Sequence, residues 1–232
     1  MDLATTTALV TGANRGLGRE LATELVARGA TVYAAARRPG SVDLPGVTPI
    51  ALDITDPASI AAAVRATGDV TLLVNNAGID TRTNLLTADL ADVQAELDTN
   101  YLGTLSVVRA FLPQVERAGG TIVNVLSVLS WVTFPGTGAY SAAKSAAWSM
   151  TNALRAELAP RGVTVAGLHV GYMNTDMTEG VDAPKSDPAE IARIAVDAIE
   201  ADSVEIVADD ISRQVQAGLA GGVAALYPQL TH

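Results

Sequence analysis

Short apolar runs alternate with amphipathic stretches from the first residues onward. "TALVTG" (7–12) reads as a buried strand, and "GRELATELVARG" (18–29) carries apolar residues at helical spacing and stops at a glycine. "TVYAAA" (31–36), "TPIALDI" (48–54), "VTLLVNNAG" (70–78), "GTIVNVLS" (120–127), "VTVAGLHVG" (163–171) and "SVEIVAD" (203–209) read as further strands, with helical segments between most of them. The stretch "YSAAKSAAWSMTNALRAELAP" (140–160) is a helix halted at Pro160. Continuously apolar strands separated by helices predict an α/β fold whose parallel sheet is covered on both faces. No repeat or linker interrupts the pattern, so residues 1–232 read as one domain. The least regular stretch, 174–188, is a candidate mobile loop that would help select a substrate.

Composition narrows the function. The formal net charge is −10, which disfavours nucleic acid or an anionic membrane as partner. There is no cysteine, so disulfides and thiolate chemistry are excluded. The N-terminus has no secretory pattern and the apolar runs are too short or broken to span a bilayer, so a cytoplasmic protein is expected. His169 has no second histidine nearby and reads as structural; no metal site is expected. Asp209 and Asp210 read as a solvated helix start.

"TGANRGLG" (11–18) lies between the first strand and the first helix. Gly12 permits a tight turn, and Gly16 and Gly18 leave room for close approach. The helix N-terminus behind them offers free N–H groups and partial positive charge to a pyrophosphate. An acidic residue after the second strand would suit a ribose 2′-hydroxyl. The chain has "AAARRP" (34–39) instead, with Arg37 and Arg38 following Ala36, and Arg15 in the glycine loop able to approach the same point. Guanidinium forks suit a 2′-phosphate, so NADP(H) is expected over NAD(H).

Tyr140 and Lys144 in "YSAAK" are four residues apart on a helix, hence one turn apart on one face. Only two lysines occur in the chain, so the pairing is unlikely by chance. A nearby ammonium lowers a phenol's pKa and fits it for general acid or base work on a carbonyl or alcohol.

Taken in order, these motifs make the chain resemble the short-chain dehydrogenase/reductase family. That resemblance implies a single Rossmann-type doubly wound domain. It implies that Asp53, with Ile54, contacts the adenine end, that Asn76, Ala77 and Gly78 of "NNAG" line the cofactor, and that Asn14 and Leu17 of the glycine loop do the same. It implies a tetrad of Asn100, Ser127, Tyr140 and Lys144: Tyr140 donates the proton, Lys144 lowers its pKa and bonds the nicotinamide ribose, Ser127 holds the substrate oxygen, and Asn100 holds a water linking Lys144 to solvent. Gly171, Met173 and Thr175, in "HVGYMNTDM" (169–177), would fix the nicotinamide ring. Val170 stands where the family usually has proline, which leaves that turn without a stiffening ring. The family's C-terminal glycine pair is missing, so its usual tetramer does not follow directly; a homodimer or homotetramer through helices around 101–117 and 140–159 is expected.

Trp131, Phe134 and Tyr172 are candidates for the wall of an apolar pocket or for core packing. The function that emerges is interconversion of a small carbonyl compound and an alcohol by hydride transfer. The alternative is a catalytically silent NADP(H)-binding regulator. A methyltransferase is disfavoured by the missing acid after the second strand, and a serine hydrolase by the absence of a G-x-S-x-G elbow.

Overall fold

The computed structural model describes residues 1–230. Seven parallel strands form one sheet: β1 (Thr7–Thr11), β2 (Thr31–Ala36), β3 (Val47–Ala51), β4 (Leu72–Asn75), β5 (Thr121–Val125), β6 (Thr164–His169) and β7 (Glu205–Val207), in spatial order 3-2-1-4-5-6-7. The eight helices among the described residues are α1 (Gly16–Ala27), α2 (Pro57–Ala66), α3 (Leu90–Leu97), α4 (Thr104–Arg117), α5 (Gly138–Leu158), α6 (Pro188–Glu200), α7 (Asp210–Gly218) and α8 (Gly222–Leu226).

Two apolar layers sandwich the sheet, as the alternation of side chains along a strand requires. On one face Ala8 and Val10 of β1 meet Leu21 and Leu25 of α1 and Ile191 and Val196 of α6. On the other, Leu9 of β1 and Ile122 of β5 meet Ile60 of α2, Phe111 of α4 and Leu154 of α5. Pro49 is tolerated within a strand because β3 is at the sheet's edge and pairs only with β2.

The predicted strands are all present; β2 has the predicted bounds and the other six are shorter. β4 ends at Asn75, so "NAG" runs on as loop, and β6 ends at His169, before Val170 and Gly171. α5 begins two residues before Tyr140 and ends at Leu158. A π-helical turn, Asp98–Gly103, joins α3 to α4; such wide turns commonly mark functional positions, and this one holds Asn100. No helix among the described residues is long and apolar enough to cross a membrane.

The strand order reverses direction of travel between β1 and β4. Loops leaving these two strands therefore diverge and open a crevice at the sheet's C-terminal edge, which is where α/β sheets bind ligands.

Candidate active site

A cleft of about 1010 Å³ occupies that crevice. One end is floored by the turn after β1. Gly12 has φ +66° and a Cβ there would lie 3.0 Å from the Cα of Ala77; Gly16 has φ +53°. Both positions therefore require glycine. Thr11 Oγ1 accepts hydrogen bonds from the N–H groups of Asn76 (2.9 Å) and Ala77 (3.0 Å), and Asn76 Nδ2 donates to Thr11 O at 2.9 Å. This ties the "NNAG" loop to the glycine turn, a role for Thr11 that the sequence reading missed although the residue stands inside the quoted motif.

Helix α1 starts at the cleft with Arg15 as its N-cap and no side chain capping the first N–H groups. Those donors and the helix dipole fit a phosphate group. Asn14, Arg15, Gly16 and Leu17 line the cleft. Gly18 does not; a Cβ there would strike Gly12 O and Asn76 Nδ2, both at 2.3 Å, so this glycine serves the close packing of helix on turn. Arg37 and Arg38 line the outer end, exposed and outside any salt bridge among the described residues, together with Asp53 and Ile54. Thr55 donates to Asp53 through its hydroxyl (2.7 Å) and its N–H (2.9 Å), which holds that carboxyl below its usual value. The residues present thus fit a dinucleotide carrying an extra phosphate near its adenine end.

Ser127, Tyr140 and Lys144 meet at the inner end, beside Gly78, Gly171, Met173 and Thr175. Ser127 caps the turn Val128–Ser130: its Oγ accepts from Leu129 N–H at 3.1 Å, while Ser130 Oγ accepts from Ser127 N–H at 3.3 Å. Ser127 Oγ thus accepts once, and its hydroxyl hydrogen is left to donate. The Ser127 side chain acts on the Tyr140 phenol and favours its ionised form. Lys144 is buried, its Nζ 5.7 Å from the Tyr140 ring centroid and donating to Val125 O at 2.8 Å.

The phenol departs from the expectation that lysine would lower its pKa. Burial pushes Tyr140 well above the ordinary tyrosine value, Asp80 and Glu96 push it further, and only the Ser127 hydrogen bond opposes them. Burial also pushes Lys144 down, to about 8, with Glu96 opposing. The protein alone holds a firmly protonated phenol.

Asn100 does not line the cleft. It lies just beneath, 2% exposed, and its Oδ1 accepts from Ile79 N–H at 3.2 Å while Nδ2 donates to Ile79 O at 3.0 Å. Gly78 allows this closeness: a Cβ there would be 2.6 Å from Asn100 Oδ1 and 3.8 Å from Lys144 Nζ.

Asp209 corrects the sequence reading. It does start a helix, accepting from Ser212 N–H at 2.8 Å, but it is buried rather than solvated, and its other oxygen accepts from Gly171 N–H at 2.6 Å. The turn that lacks proline is thus held by a carboxylate from β7's far side, and by Val128 N–H donating to Val170 O at 2.9 Å. The 174–188 segment is also anchored: Met173 bridges Ser186, Arg15 pairs with Asp176 at 3.1 Å, and Arg82 donates to Met177 O at 2.6 Å.

Phe134 and Tyr172 line the cleft, whereas Trp131 does not; it stacks on His169 and meets Trp148 edge-on. The inner wall is completed by Leu129, Val132, Ile211 and Val215. Behind it, Leu226 and Tyr227 pack on Val128, Leu129 and Val132, and Tyr227 OH accepts from Thr133 N–H at 2.9 Å. The chain's last described turns therefore back the pocket.

A parallel-sheet crevice with a glycine turn at one end and a Ser–Tyr–Lys cluster at the other defines a nucleotide-dependent oxidoreductase. The chain belongs to the short chain dehydrogenase family, whose profile matches residues 6–186. It is similar to the NADPH-dependent 1-acyldihydroxyacetone phosphate reductase of Schizosaccharomyces pombe, 36% identical over 176 residues; the match covers 72% of this chain and only 60% of the relative's length. It is 36% identical to the 3-oxoacyl-(acyl-carrier-protein) reductase of Vibrio harveyi, over 78% of this chain and 79% of that one. A short chain dehydrogenase from Burkholderia cenocepacia J2315, solved in complex with NADP, superposes with a TM-score of 0.93 at 39% identity, and all of both chains is covered.

Proposed function

We propose that the protein is an NADP(H)-dependent oxidoreductase that interconverts a small carbonyl compound and an alcohol, with Tyr140 as general acid and base. The observation that carries this reading is the juxtaposition of Tyr140 with Ser127 and Lys144 at the inner end of a cleft whose outer end holds Arg37 and Arg38. The NADPH dependence named for the Schizosaccharomyces relative and the NADP in the Burkholderia structure support the choice of cofactor.

A bound dinucleotide supplies the hydride. The chain's own groups handle position and charge. The uncapped N-terminus of α1 would hold a phosphate of that dinucleotide, and Arg37 and Arg38 would hold its additional phosphate. Ser127 donates a hydrogen bond to the substrate oxygen and stabilises charge developing there. Tyr140, kept protonated by burial, delivers a proton to that oxygen, Ser127 favours the phenolate left behind, and Lys144, one turn along α5, would bond the nicotinamide ribose. Phe134, Tyr172, Leu129 and Val132 give the substrate an apolar wall, which favours an uncharged ketone or aldehyde.

Titration of the purified protein with NADPH and NADH, read by nucleotide fluorescence, tests the cofactor. Turnover of apolar aldehydes and ketones by wild type and by Tyr140→Phe tests the chemistry. The variant should bind NADPH as before and lose about 100-fold or more of its rate. NADPH binding without turnover of any carbonyl would favour a silent binding protein, and equal rates in the two proteins would remove Tyr140 from the proton step.

A further inference from the structure

Beneath the tetrad is a carboxyl group that the chemistry above does not use. Glu96, in the last turn of α3, is fully buried. Its Oε2 accepts from Asn100 Nδ2 at 2.6 Å, and its Oε1 accepts from both the N–H and, at 2.9 Å, the hydroxyl of Thr81. Four residues separate it from Asn100, so the two share a helix face. Three donors converging on one carboxyl group build a cradle for its ionised form. Burial pushes the Glu96 pKa up, the two Thr81 donors and the Lys144 charge pull against that rise, and a carboxylate so removed from water needs such a cation to stay ionised. Lys144, itself buried, is the cation whose charge acts on it, and among the described residues Glu96 is the carboxylate acting on Lys144. Facing groups on other elements are Asp80, which repels Glu96, and the Tyr140 phenol, which feels Asp80, Glu96 and Tyr172.

We propose that Glu96 is a positioning residue of the active site: the buried counter-charge that keeps Lys144 protonated, and the anchor that fixes the Asn100 carboxamide beside Gly78. The inference rests on the role proposed for Lys144. It concerns the charge on that lysine and so can be read without substrate.

The chain has only two lysines, Lys144 and Lys185, so protein labelled with 13C at lysine Cε gives two resonances, assigned with Lys185→Arg. In Glu96→Gln the Lys144 titration midpoint should fall by about one pH unit, and the alkaline limb of the rate profile should move down with it. Glu96→Asp, which keeps the charge, should restore most of the midpoint. A midpoint that stays put in Glu96→Gln overturns the proposal, even if turnover falls, because a purely structural carboxyl would lower the rate without moving it. Absence of turnover in wild type would defeat the oxidoreductase chemistry while the lysine titration still decides the counter-charge. Should Glu96→Gln fail to fold, the unaltered protein supplies the test: the Lys144 resonance should show a second inflection at acid pH as Glu96 takes its proton, and a single inflection overturns the proposal.

Discussion

The imidazole of His169 lies flat on the indole of Trp131, with ring centroids 3.8 Å apart and planes 14° apart. The histidine is 1% exposed and its Nδ1 is 3.4 Å from the carbonyl oxygen of Ser127. A residue read from sequence as structural is thus a packing element directly behind Ser127. Burial pushes its pKa down from 6.5 to about 4, and the Ser127 carbonyl opposes this only in part.

That depression has a consequence for stability. A histidine whose folded pKa lies below its unfolded value takes up a proton in the unfolded chain first. Stability is therefore full above pH 6.5 and is lost as pH falls toward 4. Between pH 7 and pH 5 this one group should remove about 2 kcal/mol. Urea unfolding at the two values measures it, and His169→Gln should remove most of the difference.

Asp209 holds the N–H groups of Gly171 and Ser212 at once. Asp209→Ala leaves the buried Ser212 N–H and the half-buried Gly171 N–H without an acceptor, and a loss of about 2 kcal/mol is expected. Because Gly171 opens the segment that faces the cofactor cleft, the variant should also raise the dissociation constant for NADPH. Denaturation midpoints and a nucleotide titration read the two effects separately.

The pair Arg37 and Arg38 is exposed and makes no salt bridge among the described residues, so little stability depends on it. Changing both to alanine should leave the unfolding midpoint nearly unmoved. It should weaken NADPH about 10- to 100-fold and NADH little, since charge-assisted hydrogen bonds contribute about 1.5–3 kcal/mol. Rising salt should narrow the gap between the two nucleotides in wild type.

Gly78→Ala tests the closeness of Asn100 to the cleft. The new methyl group would meet Asn100 Oδ1 at 2.6 Å and push it off Ile79 N–H. Overpacking of this kind costs about 1–3 kcal/mol. Turnover should fall along with stability, seen as a lower kcat in the same preparation that shows the lower urea midpoint.

Local chemistry made much of this legible in advance. The sheet could be read because most of its strands are short apolar runs, Tyr140 and Lys144 because they are four residues apart on a helix, and Ser127 through the family resemblance. The strand ends were overrun because "NNAG" is as extended and half-apolar as the strand it follows. What could not be read were contacts between distant segments. Asp209 looks like any helix cap until the fold brings Gly171 beneath its second oxygen, and Trp131 fits a pocket wall or the core equally until His169 stacks on it. The direction of the Tyr140 pKa has a related cause: sequence shows the lysine four residues away, whereas the burial that pushes the phenol up has no linear signature. Glu96 did leave a trace, its i to i+4 spacing from Asn100, which gains meaning only once that face is buried.

The clasp between Asp209 and Gly171 also bears on how the site is made. The family match ends at residue 186, by which point all four members of the tetrad have been synthesised. The carboxylate that steadies the turn after β6 comes later, past α6 and β7. A nascent chain released from the ribosome at residue 186 would carry the reactive side chains but not the latch that holds their neighbouring loop. Assembly of the site therefore waits on the C-terminal part of the chain.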